Sequence, residues 1–456
     1  MHRQPLAAWL TGVAAVALYT VFSVSQWIRL SSPSWDLGIF TQLAKAYAGV
    51  GAPIVPIKGE GFNLLGDHFH PLLVLLGPAY AIAPSALTIL ILQNLLFGLS
   101  VAVVARTGMR MIGPAAGIAV GIAYALSWGL QSAVYAQFHE IAFAVPLLAL
   151  SLEAVLRRRV VPAVVWGGLL VFVKEDLGLT VIALGLVIAW RLRAAAGLWL
   201  SVWGALWLIV TVRLILPALN VGGQYDYTDR IDVGGMIADP TGAVVDLFSG
   251  AAKYETLLLL LLTGGFLFLR SSLSLVLLQT LLWRFASSQE GYWGPEWHYS
   301  AVLMPVLFLA LIDGVRSLQR SGRGWVRTTA VLGVPTALAA CFFLLPSQKF
   351  AVLAEPETYQ QSDRWDAAHR MMDLIPEDAA VETGVVLMAY LVPDTRVYWL
   401  GNTNPTPEYL IVDADDWSWG PVRPTDAEAH AEQRYPGTDY TLVFNEAGYQ
   451  LVELEH

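Results

Sequence analysis

Residues Val160–Trp190 read VVPAVVWGGLLVFVKEDLGLTVIALGLVIAW, and the only charged positions among them are Lys174, Glu175 and Asp176. A helix needs about 20 apolar residues to cross about 30 Å of hydrocarbon. A single helix over this stretch would hold three charges at the bilayer centre, where ionisable groups are costly. It would also put Arg157, Arg158 and Arg159 on the opposite side from Arg191 and Arg193, against the tendency of Lys and Arg to stay on the cytoplasmic side. Two short helices avoid both conflicts. Each has about 14 residues, or about 21 Å at 1.5 Å per residue, too short to reach the outer headgroups. The Lys-Glu-Asp turn is therefore expected to sit recessed, lining a water-filled cavity open to the outside. Such a cluster marks a functional site.

The rest of the chain has the same character. Of its 456 residues, 56% are hydrophobic and 14% charged, against roughly a quarter charged in an ordinary globular protein. The mean hydropathy is +0.56. These figures exclude an ordinary soluble enzyme, a disordered scaffold, a disulfide-stapled secreted domain and a coiled coil. They leave an all-α polytopic membrane protein. The net charge of −9 argues against nucleic acid as a partner. Cys341, the single cysteine, lies in an apolar run and reads as a small buried residue.

Charge divides the chain at Pro346. Residues 1–346 carry 21 Lys+Arg and 16 Asp+Glu, a net of +5, whereas residues 347–456 carry 6 and 20, a net of −14. The first part holds eleven expected spans, at about 6–28, 84–105, 114–130, 141–156, 160–173, 177–190, 196–216, 254–269, 272–285, 300–315 and 328–345. Met1–Gln4 is a short basic start, and Leu6–Trp27 reads as a retained first helix rather than a cleaved signal. His70–Ala83, interrupted by Pro71, Gly77 and Pro78, reads as a helix at the outer interface. With Met1 cytoplasmic, alternation places 13 of the 21 basic residues in inner loops and 14 of the 16 acids outside, leaving Glu153 and Asp313 near the inner ends. Eleven crossings put the acidic tail outside the cytoplasm.

The tail reads as a small α/β domain, large enough at about 110 residues to bury a core. Strands are expected at Ala379–Thr383, Arg396–Leu400, Glu408–Val412, Tyr440–Asn445 and Gln450–Leu454, and helices at Val385–Leu391 and Thr425–Gln433. Asp413, Asp415 and Asp416 read either as a cation site or as a solvated acidic turn. The domain would act as a lid or acceptor-positioning element, and the outer loop Pro217–Lys253, with Tyr225 and Tyr227, would help to close the cavity.

Uncommon polar groups collect in the outer turns. They are Asp36 after the first helix; Asn63, Asp67, His68 and His70; Gln137, His139 and Glu140; Lys174, Glu175 and Asp176; and Glu290, Tyr292, Trp293, Glu296, Trp297 and His298. Acids, imidazoles and an amine at similar depth make a plausible active site. Each also has a plainer reading. Asp36 fits the outward bias of acids. His68 and His70 fit caps of the interfacial helix, and His139-Glu140 a cap with a dipole partner. Lys174-Glu175-Asp176 fits a structural ion cluster, and the aromatics fit an interfacial belt. There is no GxxxxGK[ST] loop, no GxGxxG, no GxSxG and no HExxH. An enzyme facing outward has no nucleotide sugar at hand, so its donor would be a lipid-linked phosphosugar.

The runs Trp35-Asp36-Leu37-Gly38-Ile39-Phe40-x-Gln42, Gly66-Asp67-His68-Phe69-x-Pro71, Phe138-His139 and Lys174-Glu175-Asp176-Leu177-Gly178 together resemble the bacterial membrane-protein family labelled domain of unknown function 2079. Ile375-Pro376 through Val397-Tyr398 looks like that family's extracytoplasmic tail. The resemblance spans nearly the whole chain. That family is similar in layout to the GT-C glycosyltransferases, polytopic enzymes that use polyprenyl-phosphate sugars and carry a catalytic acid in the first outer loop. The resemblance implies inverting sugar transfer to a cell-envelope acceptor at the plasma membrane, with Asp36 as the general base. The paired acids of common GT-C patterns are absent, because Leu37 and Gly38 follow Asp36. Lys174 is expected to meet the departing lipid phosphate, with His139 and His298 as second choices. Asp67, His68, Glu140, Glu175, Asp176, Trp293, Trp297 and His298 are expected to bind substrate. No cofactor is expected with certainty; a divalent cation, if one takes part, would be held by Asp67, His68, His139 and Glu175. Two other classes stay open: a transporter or lipid-linked-sugar flippase, which would more often show matched broken helices in an internal repeat, and a non-catalytic envelope assembly protein.

Overall fold

The computed structural model describes residues 3–455; Met1 and His2, part of the basic start, lie outside the described residues. Among the described residues six helices are long and apolar enough to cross a membrane: Leu6–Ile28, Ala86–Met111, Pro114–Tyr135, Ala195–Leu219, His298–Gln319 and Gly324–Ser347. Five shorter apolar helices run over Pro71–Ile82, Ile141–Leu156, Val160–Phe172, Leu177–Leu192 and Ser272–Ala286. The stretch that decides the fold is thus two helices joined by a turn at Lys174-Glu175-Asp176. The expected span 254–269 differs. Its helix, Ala251–Thr263, stops at Gly264, and the chain then turns through Gly265 and Phe266, both at positive φ. Leu177–Leu192 and Ala195–Val210 pack through glycines: a Cβ on Gly185 would lie 2.5 Å from the Gly197 carbonyl oxygen, the close approach that small residues allow in membrane bundles. Cys341 is buried, with Sγ 3.4 Å from the Ala123 carbonyl oxygen.

The two ends of the bundle differ in charge. Glu140 precedes the helix Ile141–Leu156 and Glu153 lies in its last turn, about 20 Å further along at 1.5 Å per residue. Glu153 meets Arg106, Arg110 and Arg157. The other end gathers the acids and histidines. There the first loop forms a helix, Asp36–Ala48, that the sequence pattern does not announce. Its residues Leu37 to Ala44 are all buried, so it has no polar face to set a period.

What covers that helix is the tail. Five strands, β1 (Ala380–Thr383), β2 (Arg396–Trp399), β3 (Tyr409–Asp413), β4 (Tyr440–Glu446) and β5 (Tyr449–Leu454), form one sheet in the order β2-β1-β3-β5-β4. The β2, β1 and β3 strands are parallel, and β5 and β4 add antiparallel. All five lie within a residue or so of their expected bounds; the helix Trp365–Met372 is an addition. The edge strand β2 abuts the loop helix. Gln42 Nε2 donates to the Val397 carbonyl (2.8 Å) while its Oε1 accepts from the Ile57 N–H (3.0 Å). Lys45 Nζ donates to the carbonyls of Val392 (2.9 Å) and Thr395 (3.2 Å). Trp27 stacks on Tyr390 at 3.8 Å, and Trp35 meets Trp399 edge-on at 4.7 Å. Asp413 pairs with Arg364 at 2.5 Å, and the buried Asp416 accepts from the Ser418 and Val386 N–H groups. These aspartates act as a partner and a cap, and the solvated acidic turn is corrected to that extent.

Candidate active site

A cavity of about 880 Å³ opens at the acidic end of the bundle. All five of the expected groups meet there, each delivered by a break in helical structure. Asp36 starts the loop helix, where a carboxylate suits the positive end of the dipole. Asp67, His68 and His70 follow a 3₁₀ turn at Leu64–Gly66. His139 and Glu140 sit after Gln137, whose φ of +69° is unusual for a residue with a Cβ and turns the chain tightly between two helices. The Gln137 Nε2 donates to the Ser31 carbonyl at 3.2 Å, tying this turn to the first loop. Lys174, Glu175 and Asp176 form the turn between the two short helices. His298, Tyr299 and Tyr292 come from the loop before the helix Leu303–Gln319.

Arg284 holds that last loop in place. It is fully buried and donates to the carbonyls of Tyr292 (2.6 Å) and Gly294 (2.9 Å) and to Ser300 Oγ (3.0 Å). The sequence does not mark this arginine, because it stands inside an apolar helix.

Most charged groups in the cavity are paired. His139 Nε2 lies 3.4 Å from Asp36 Oδ2. Lys174 Nζ donates to Glu140 Oε1 at 2.6 Å. His68 Nδ1 lies 2.7 Å from Glu175 Oε1, while Glu175 Oε2 accepts from the Phe69 N–H at 3.0 Å. Lys58 Nζ lies 3.1 Å from Asp67 Oδ2. The tyrosines of the long outer loop close over these pairs. Tyr227 donates to Asp67 Oδ1 (2.8 Å) and stacks on His68 at 4.5 Å, and Tyr225 donates to Glu175 Oε1 (3.2 Å). The His139 ring stacks on His298 at 3.6 Å.

Burial and pairing compete in setting charge states. Burial would raise the Asp36 carboxyl, but His139 beside it and the Ser34 hydroxyl hold it below its ordinary value. Burial would lower His139, and Asp36 and Glu140 reverse this and raise it. Glu175 is brought down against its burial by His68, to about 2. Glu140 is held well below the carboxylate range, because Lys174 and the neighbouring histidines outweigh its burial. Asp176 behaves differently. Burial raises it to about 6, Lys174 offsets only part of this, and Glu175 adds to it. One oxygen of Asp176 is buried without a hydrogen-bond partner, as is Nδ1 of His70.

Three charged groups of the cavity wall are left without an ion-pair partner among the described residues: Asp176, Arg213 and Arg230. Arg213 lies in a π-helical turn, Thr211–Ile215, inside the helix Ala195–Leu219; such bulges are frequent at functional sites. The outer face of that helix carries exposed Leu206, Ile209 and Leu214, so Arg213 stands where the lipid-facing surface meets the cavity. Arg230 lies over the Tyr227 ring at 5.5 Å. Nothing in the spacing of the sequence marks either arginine, since Arg213 reads as a stray charge at a helix end and Arg230 as loop.

Asp36, Asp67, His68, His139, Glu140, Lys174, Glu175, Asp176 and His298 all line the cavity, whereas Trp293 and Trp297 do not. Trp293 is used elsewhere, under the Lys253 ammonium at 4.1 Å with Nε1 donating to the Ser287 carbonyl at 2.9 Å. The aromatic side chains in the cavity wall are instead those of Trp35, Phe40, Tyr225, Tyr227, Trp283, Tyr292 and Tyr299. The set Asp67, His68, His139 and Glu175 does not converge. Among the described residues no three His, Cys, Asp or Glu side chains come together as metal ligands; of that set His68 and Glu175 pair with each other, Asp67 pairs with Lys58 and His139 with Asp36.

The profile of a family described as predicted membrane protein (DUF2079) matches residues 26–451. No curated protein matches the chain. Among solved structures, the fold is similar to the crystal structure of ArnT from Cupriavidus metallidurans in the apo state, with a TM-score of 0.54, 12% identity and 97% of each chain covered. The chain belongs to the DUF2079 family and is a multi-pass membrane protein with an ArnT-like fold.

Proposed function

We propose that this member of the family is an integral membrane glycosyltransferase that moves a sugar from a polyprenyl-phosphate donor to a cell-envelope acceptor, with inversion. The reading rests on one observation: the carboxyl group of Asp36, 3.4 Å from an imidazole, faces the same cavity as two unpaired arginines. Similarity in fold to ArnT, a GT-C glycosyltransferase, supports the class of reaction. The basic cluster around Glu153 at the far end supports an orientation with that end cytoplasmic and the cavity extracytoplasmic. Eleven crossings, with residues 1–346 as the membrane part and 347–456 as an extracytoplasmic domain, fit this orientation.

In this mechanism the acceptor hydroxyl attacks the anomeric carbon, and the bond from that carbon to the phosphate oxygen breaks. The hydroxyl proton passes to Asp36, and the electron pair leaves with the lipid phosphate. General-base help of this kind is worth roughly 10²–10⁴-fold. His139 keeps Asp36 ionised. The leaving phosphate needs positive charge fixed in advance, and Arg213 and Arg230 supply it. Lys174, the sequence-based choice for this task, is committed to Glu140 and acts as a strut. Asp176 and the cavity tyrosines meet sugar hydroxyls, with Asp67, His68 and Glu175 fixing the loops that carry them.

The test is mass spectrometry of envelope glycans and polyprenyl-phosphate sugars in a strain lacking the gene. The donor should accumulate and one glycan modification should disappear. The wild-type chain should restore it, and the Asp36→Asn chain should not, at equal membrane abundance. Restoration by Asp36→Asn would remove the assignment.

A further inference from the structure

At the end of the bundle away from the cavity, three guanidinium groups share one carboxylate oxygen. Arg106, Arg110 and Arg157 approach Glu153 Oε1 at 3.5, 3.6 and 3.2 Å. The arginines come from the last turns of Ala86–Met111 and from just past Ile141–Leu156. Glu153 is buried, with a side chain 7% exposed, while Arg110 and Arg157 are 43% and 42% exposed. The cluster therefore carries two uncompensated positive charges. The Nε of Arg106 is buried and has no partner.

A structural ion pair at the same end has a different form. Arg191 meets both oxygens of Asp313 at 2.6 Å, and Ser271 completes that carboxylate's bonds. Charge is balanced there one to one. A general excess of Lys and Arg in inner loops accounts for exposed arginines such as Arg158 and Arg159, but not for three that converge on one buried acid. Holding like charges together is unfavourable unless an anion joins them. Basic pockets between helices at the membrane surface bind anionic headgroups, and planar guanidinium groups suit phosphate oxygens.

We propose that Arg106, Arg110 and Arg157 form a binding site for the phosphate of an anionic phospholipid, with Glu153 as the acid that gathers them. The experiment uses the full chain in nanodiscs of phosphatidylcholine containing phosphatidylglycerol, with retained lipid counted by native mass spectrometry. The wild type should retain phosphatidylglycerol over phosphatidylcholine. Arg106→Gln combined with Arg157→Gln should lower that preference about 30-fold, from about a factor of five for each charge near the surface. Equal retention in the wild type and the double variant would overturn the site. If inorganic phosphate protects the chain against unfolding as well as phosphatidylglycerol does, the site is one for free phosphate and the lipid assignment fails.

Discussion

Lys174 and Glu140 make the shortest charge pair in the cavity, 2.6 Å apart and 15% and 3% exposed. Lys174→Met would leave the Glu140 carboxylate buried without its main partner. Removing one member of a buried pair typically costs about 3–5 kcal/mol. Glu140→Met should cost less, about 2 kcal/mol, because Glu175 and Asp176 still face the ammonium. The double variant replaces both charges with apolar groups and should fall within about 1–2 kcal/mol of the wild type, a coupling of at least about 3 kcal/mol. Unfolding of the four proteins in one detergent, at one pH near neutrality, closes the cycle. A coupling below about 0.5 kcal/mol would mean that the two residues do not act as a pair. The same four proteins separate two roles for Lys174. If it is a strut, the stable double variant keeps transfer within about tenfold. If it binds the leaving phosphate, the double variant is stable but loses roughly 10²-fold or more, and Arg213 and Arg230 are then not sufficient.

Arg213→Gln and Arg230→Gln should each lower transfer by about 10²-fold with unchanged thermal stability; loss of stability in step with activity would make them structural. The Asp36–His139 pair should stabilise only in a window of pH. His139, raised by Asp36, gives up its contribution as pH rises through its raised value, and Asp36, lowered by His139, gives up its contribution as pH falls through its lowered value. Unfolding of the wild type and of His139→Asn as a function of pH should therefore converge at both extremes, and a constant difference would refute the pairing. Asp176, raised to about 6, should give a protonated-carboxyl infrared band near pH 5 that is lost near pH 7.5 and absent in Asp176→Asn. Gly38→Val should loosen the tail, since a Cβ there would lie 2.8 Å from the Met388 Cβ. Faster proteolysis between the bundle and residue 365 is expected, at a cost of about 1–3 kcal/mol.

The sequence made the polar ring legible because charge in an apolar chain is conspicuous. Each of Asp36, His68, His139 and Lys174 stands at the edge of an apolar run, and the edges of runs on one side of a membrane must lie at one depth. Depth does not determine pairing, however. That Lys174 meets Glu140 rather than a ligand depends on how the turn after Gln137 faces the Lys-Glu-Asp turn, which no local pattern encodes. Trp293 and Trp297 are absent from the cavity wall, and Lys253 and Ser287 engage Trp293 instead. Arg213 and Arg284 were hidden for the opposite reason: a single basic residue in an apolar helix gives no periodic signal, and only the π-turn in one case and the loop carbonyls in the other reveal its use.

The loop helix Asp36–Ala48 joins these features. Its first residue is the proposed base, its middle residue Gln42 bonds both to the Ile57 N–H of the first loop and to the edge strand β2, and its last turn offers Lys45 to two tail carbonyls. The tail also reaches the cavity wall directly: Trp399 abuts Trp35, and Lys58 Nζ lies 4.9 Å over the Trp35 ring while pairing with Asp67. A lid that opens and closes would need a weak, exchangeable contact. Here the contact is a buried carboxamide bridge, a bonded ammonium and a glycine with no room for a methyl group. The tail is therefore better understood as a fixed support behind the wall residue Trp35. Any movement that admits substrate falls to the outer loop of Tyr225 and Tyr227, which two hydroxyl hydrogen bonds tie to Glu175 and Asp67.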